Sequence, residues 1–98
     1  MQRKMICEQL LKARPRFEAE GVRHIAFFGS RARGDFRQDS DLDILLEVAP
    51  ESGFSLLGLV GAEMIASEAT GLEANAFMRR SLGREFAESI KSEVVEVF

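Results

Sequence analysis

A chain of 98 residues with 46% apolar and 30% charged side chains can build one compact core, and this balance places it outside the disordered class. The formal net charge of −3 excludes bulk attraction to nucleic acid or to an anionic membrane, so no non-specific nucleic-acid binding is expected and any polyanion must be met by a few placed arginines. No apolar run reaches membrane-spanning length, the N-terminal stretch alternates charged and apolar residues unlike a secretory signal, and the single cysteine, Cys7, rules out an intrachain disulfide.

The expectation is one domain over residues 1–98, working in a reducing cytoplasm, with Cys7 acting as a small buried hydrophobe. Met5, Ile6, Leu10, Ala13 and Phe17 recur at helical spacing, with Arg3, Lys4, Lys12, Arg14 and Arg16 on the outer face. Pro15 predicts a kink or an early end near Arg14, and Gly21 a stop. Arg23–Phe28 reads as a buried strand closed by Gly29. The segment GSRARGDFRQDSD is a loop with room for one helical turn, and Leu42–Val48 is a second strand ended by Ala49 and Pro50.

Ser55 is placed to cap a helix over Leu56–Thr70, which Gly71 stops. LEANAFM is a weaker strand because Ala74 and Ala76 have low strand propensity. A last helix over Leu82–Lys91 and a short VVEVF strand complete the pattern. The order α-β-loop-β-α-β-α-β predicts a small α/β (α+β) domain, a mixed β-sheet with helices packed on it. The helix over residues 56–66 spreads Leu56, Leu57, Leu59, Val60, Met64 and Ile65 around its circumference. A single sheet buries one side of such a helix, so a homo-oligomer or a protein partner is expected there.

The chemistry lies in FFGSRARGDFRQDSDLDILLEV, Phe27–Val48. Asp41 and Asp43 are two residues apart at a strand start and share a face. Two carboxylates so close repel unless a cation sits between them, and Mg²⁺ suits hard oxygen ligands completed by water and phosphate. Gly29 lets an anion approach the backbone, Ser30 opens a turn with free N–H groups and a hydroxyl, and Arg31 and Arg33 bring positive charge to that edge. A phosphate cradle on one strand and a carboxylate pair on the next is the equipment of nucleotidyl transfer.

Gly29-Ser30, ten residues, then Asp41-Leu42-Asp43 resembles the G-S-x10-D-x-D signature of the DNA-polymerase-β-like nucleotidyltransferase superfamily. The whole segment is similar to its minimal nucleotidyltransferase (MNT) branch, and the likeness covers nearly the entire chain. The resemblance implies the polymerase-β-like nucleotidyltransferase fold, ATP as substrate, Mg²⁺ in a two-metal site, and a helical HEPN protein as partner. It also implies a toxin–antitoxin pair in which the MNT member neutralises the toxin by binding it or by transferring AMP to it. Carried over, Gly29 and Ser30 bind the triphosphate, with Arg31 and Arg33 beside them, and Asp41 and Asp43 ligate metal.

The family's third carboxylate, expected on a later strand, is replaced by Asn75 within GLEANAF. An amide cannot act as a general base, so the alternative is a binding antitoxin that holds nucleotide without turnover. Glu73 is the one nearby acid, but two residues are about 6.6 Å along a strand, which one extra methylene does not span. His24 is expected at the surface or in packing, since no second histidine could make a metal site with it. The Arg79, Arg80 and Arg84 cluster reads as solvated surface, with phosphate or an acidic partner as its functional alternative. The missing second domain and the negative charge count against small-molecule acceptors and templated polymerisation.

Overall fold

The N-terminal helical stretch divides at Ala13 into α1 (Arg3–Lys12) and α2 (Arg14–Ala19), as the proline demands. Pro15 has no N–H to give and its ring would meet the carbonyl of the preceding turn, so the chain restarts with Pro15 in the first turn of α2, where no intrahelical donor is needed. Ile6, Leu10, Ala13 and Phe17 are buried, whereas Met5 is about half exposed and lies outside the buried stripe expected of it. The computed structural model describes residues 1–50 and 53–98.

The strands are β1 (Val22–Phe28), β2 (Leu42–Val48), β3 (Ala74–Met78) and the short β4 (Val95–Glu96). They form one mixed sheet in the order β3-β2-β1-β4. β1 runs antiparallel to both β2 and β4, and β2 runs parallel to β3. Parallel neighbours need a crossover, which α4 (Leu56–Thr70) supplies, ending at Gly71 with φ +74°. A single turn, α3 (Ser30–Arg33), follows β1. The expected last helix is shorter than its pattern: a 3₁₀ turn spans Arg79–Ser81 and α5 covers Arg84–Ile90. The C-terminal strand is likewise brief, though Val97 and Phe98 both donate to the Ile25 carbonyl.

Side-chain alternation along the strands divides the interior in two. Ile25, Phe27, Leu42, Ile44, Leu46, Ala74 and Ala76 meet α1, α2 and α4 through Ile6, Leu10, Phe17, Ala62, Ile65 and Ala66. The opposite face carries Ala26, Phe28 and Leu45, which meet α5 through Ile90, with Phe86 edge-on to Phe28 and with Phe77, Leu82 and Val94 around them. Helices therefore cover one face broadly, and α5 covers part of the other. Asp43 and Asn75 alternate with the buried Leu42, Ile44, Ala74 and Ala76, so they emerge on the thinly covered face.

Candidate functional site

Three strand ends meet at one margin of the sheet. Phe28 of β1 is paired with Asp43 of β2, and Asp43 with Asn75 of β3. The Asn75 side-chain amide donates from Nδ2 to Asp41 Oδ2 at 3.0 Å and to Asp43 Oδ1 at 3.4 Å. One donor thus serves both carboxylates, so their oxygens converge on a common point. Asp41 is exposed and Asp43 half-buried. Burial pushes the Asp43 carboxyl above its ordinary range; the Asn75 bond opposes that rise, and the nearby charges of Asp41 and Glu93 add to it.

Gly29 sits against this pair under two constraints. Its φ is +84°, and a Cβ there would lie 2.7 Å from Asp43 Oδ2. Only glycine lets the strand end turn so close to the carboxylate. Past Gly29 the chain enters α3, where the N–H groups of Ser30 and Arg31 and the Ser30 hydroxyl have no partner among the described residues. These open donors lie next to the carboxylate margin.

The two arginines expected there point to different places. Arg33 is exposed and binds Asp35 at 3.1 Å and Glu93 at 3.0 Å, contacts that raise its pKa further. Arg31 is only 2% exposed. Its Nε and Nη2 donate to the Ser40 carbonyl and Nη2 also to the Gln38 carbonyl, while its guanidinium lies 4.4 Å over the Phe36 ring. Arg31 therefore braces the loop that delivers Asp41, and the sequence expectation that it faces phosphate gives way to that geometry. The cavity of about 400 Å³ beside it is lined by Gln2, Arg3, Lys4, Gly34 and Phe36, away from the carboxylates.

Glu93 was absent from the sequence-derived set. It follows α5, and its Oε2 accepts from Gly29 N–H at 2.7 Å and from Arg33 Nη1 at 3.0 Å. No local pattern distinguishes it from an ordinary solvated acid, because its partners are 60 and 64 residues away. Glu73 is exposed and contributes its backbone carbonyl to Leu42 N–H, so it does not stand in for the missing carboxylate. Arg79 is held by Glu96 at 2.9 Å and Glu47 at 3.5 Å, while Arg80 and Arg84 remain exposed. His24 is also exposed, and Cys7 is half-buried with its thiol pKa raised by burial.

Among the described residues no three His, Cys, Asp or Glu side chains converge as a metal cage. The pair itself suits a hard cation, since both carboxylates already present an oxygen to one positively polarised NH2 group. Mg²⁺ commonly takes one or two protein carboxylates and fills its shell with water and substrate phosphate, so the donor set fits that ion. A second ion would have to use the Asn75 amide oxygen in place of a carboxylate.

Comparison with known proteins gives a consistent picture. The nucleotidyltransferase domain family matches residues 7–97. Protein adenylyltransferase MntA of Thermococcus cleftensis is 39% identical over 80 residues, which span 82% of this chain and 79% of that protein. A solved structure described as a minimal nucleotidyltransferase superposes with a TM-score of 0.67 at 28% identity, covering 97% of this chain and 95% of the other. The MNT antitoxin complex with a tri-AMPylated HEPN toxin from Shewanella oneidensis gives a TM-score of 0.64, covering 94% and 71% of the two chains. At 12% identity that last likeness shows the fold alone.

Proposed function

The chain belongs to the nucleotidyltransferase domain family, and we propose that it transfers AMP from ATP to a protein acceptor. The observation that carries this reading is the convergence of Asp41 and Asp43 on one point beside the open N–H groups of Ser30 and Arg31 and the Ser30 hydroxyl. The MntA relative supports protein as the acceptor class, and the partner we assign is the helical HEPN protein that the sequence resemblance implies, with this chain as the antitoxin of a cytoplasmic pair.

Gly29, Ser30 and the first N–H groups of α3 would hold the triphosphate, and Arg33 would lend charge at its edge. Asp41 and Asp43 would hold Mg²⁺, which when bound draws charge from the phosphates and stabilises the departing pyrophosphate. In the transfer, an acceptor hydroxyl oxygen bonds to the α-phosphorus as the bond to pyrophosphate breaks, and the hydroxyl proton leaves to a carboxylate or to water.

With labelled ATP, Mg²⁺ and a HEPN partner, the natural protein is expected to label the partner, and Asp41→Ala/Asp43→Ala to lose at least about 100-fold of that activity. Labelling that survives the double variant sinks the assignment. A second reading, a binding antitoxin without turnover, is favoured by Asn75, whose amide spans both carboxylates where a third acid would stand. Asn75→Asp separates the two: it raises transfer if the missing acid limits turnover, and no gain counts against that role for Asn75. Exposed Leu56, Leu57, Val60 and Met64 on α4 are the surface we assign to a second copy of the chain.

A further inference from the structure

Two of the donors that the cradle would offer a phosphate are already engaged. Glu93 Oε2 accepts from Gly29 N–H at 2.7 Å and from Arg33 Nη1 at 3.0 Å. One oxygen shared by a backbone N–H and a guanidinium is how a phosphate oxygen is held. The Glu93 side chain is only 15% exposed, so its carboxylate rests in the cradle and not in bulk solvent. Its charge also lies close enough to Asp43 to oppose ionisation there. Such crowding of like charges is unfavourable unless the two donors compensate it.

The backbone around Glu93 is tied independently. Its N–H donates to the Ile90 carbonyl at 2.9 Å, and Val94 N–H donates to the same carbonyl at 3.2 Å. The carboxylate can therefore swing out by side-chain rotation while the turn stays in place. Arg33 keeps a second partner, Asp35, when Glu93 lets go.

We propose that Glu93 is an internal competitor for the phosphate subsite, and that a nucleotide's phosphate takes Gly29 N–H and Arg33 by displacing its carboxylate. This rests on the nucleotide-binding reading of the site given above. Glu93 then sets the affinity for nucleotide: its carboxylate keeps the cradle ordered before ligand arrives, and each binding event must break two charge-assisted or buried hydrogen bonds before making new ones. The same competition applies to any ligand that carries a terminal phosphate chain, with or without a nucleoside.

The test is calorimetric titration of Mg²⁺–AMP-PNP and of Mg²⁺–tripolyphosphate into the natural protein and into Glu93→Gln. The amide keeps the size of the side chain and an acceptor for Gly29 N–H, and it removes the charge. Both ligands are expected to bind Glu93→Gln about five- to tenfold more tightly. Equal or weaker binding by a folded Glu93→Gln overturns the proposal, and weaker binding would make Glu93 a residue that positions the cradle. Should Glu93→Gln not fold, the Glu93 carboxyl ¹³C resonance of the natural protein decides: it must move when tripolyphosphate saturates the site, and an unmoved resonance overturns the proposal. Failure of the natural protein to bind either ligand would bring down the nucleotide reading itself, whereas binding without a gain removes only the competitor.

Discussion

Arg31 and Arg33 show what two residues of separation mean in different local structures. Along extended chain, positions two apart share a face, and Asp41, the residue just before β2, and Asp43 within it both reach the Asn75 amide. In a helical turn two residues are about 200° apart, so Arg31 turns inward to the Ser40 and Gln38 carbonyls while Arg33 stays outside with Asp35 and Glu93. The pairing of the aspartates was therefore legible from spacing, whereas the shared direction assumed for the arginines was not. Asp43 carries a measurable consequence. Its carboxyl pKa is raised in the fold, chiefly by burial, so the folded state holds the proton more tightly than the unfolded state does. That contribution to stability is present in acid below the ordinary carboxylate range and is lost as pH rises through the raised value. In EDTA, Asp43→Asn is expected to melt higher than the natural protein at neutral pH and to lose that advantage in acid. Melting curves across pH check it, and an equal gain at both ends would show that ionisation is not the cause.

At the scale of elements, β3 is an edge strand whose outward donors are capped by the helix that precedes it. Ala76 N–H donates to Glu63 Oε2 at 2.7 Å, and Ala74 N–H to Ser67 Oγ at 3.1 Å, both side chains coming from α4. Capping an edge this way blocks pairing with another chain's strand. It also explains how a segment with poor strand propensity holds its place: Ala74 and Ala76 fit closely under α4, and α4 answers their backbone polarity. Glu63→Ala leaves the Ala76 donor unpaired and is expected to cost about 1–3 kcal/mol in urea unfolding. A loss below about 0.5 kcal/mol would show that water replaces the carboxylate at little cost. The same scale accounts for the division at Ala13, which Pro15 announces in the sequence, and for the shortened last helix. There, Gly83 occupies the cap position before Arg84, so the apolar periodicity beginning at Leu82 overstates the helix by its first two residues.

Across the whole molecule the two faces of the sheet have separate tasks. α1, α2 and α4 pack on one face, while the carboxylates, Asn75 and the α5 side occupy the other. The apolar stripe of Leu57 (83% exposed), Val60 and Met64 belongs to α4, on the layer remote from the carboxylates. Residues three and four apart form one ridge, so these side chains present a continuous surface. Self-association through them should leave the nucleotide site open. Leu57→Glu is expected to convert a self-associating protein to monomers in sedimentation or light scattering, with nucleotide binding unchanged. A natural protein that is already monomeric at about 100 μM would remove the second copy as occupant. By itself, the sequence determined the strand-loop-strand unit, the shared face of Asp41 and Asp43, the glycine at position 29 and the amide at position 75, because each follows from residue type and from the two-residue and 3.6-residue periods of the backbone. Tertiary structure alone decided that Arg31 is spent on its own loop and that Glu93 reaches the cradle. Periodicity states which side of an element a residue faces; it carries no information about which distant element arrives opposite it, and Glu93 meets Gly29 only because β4 and the turn before it close the sheet beside β1.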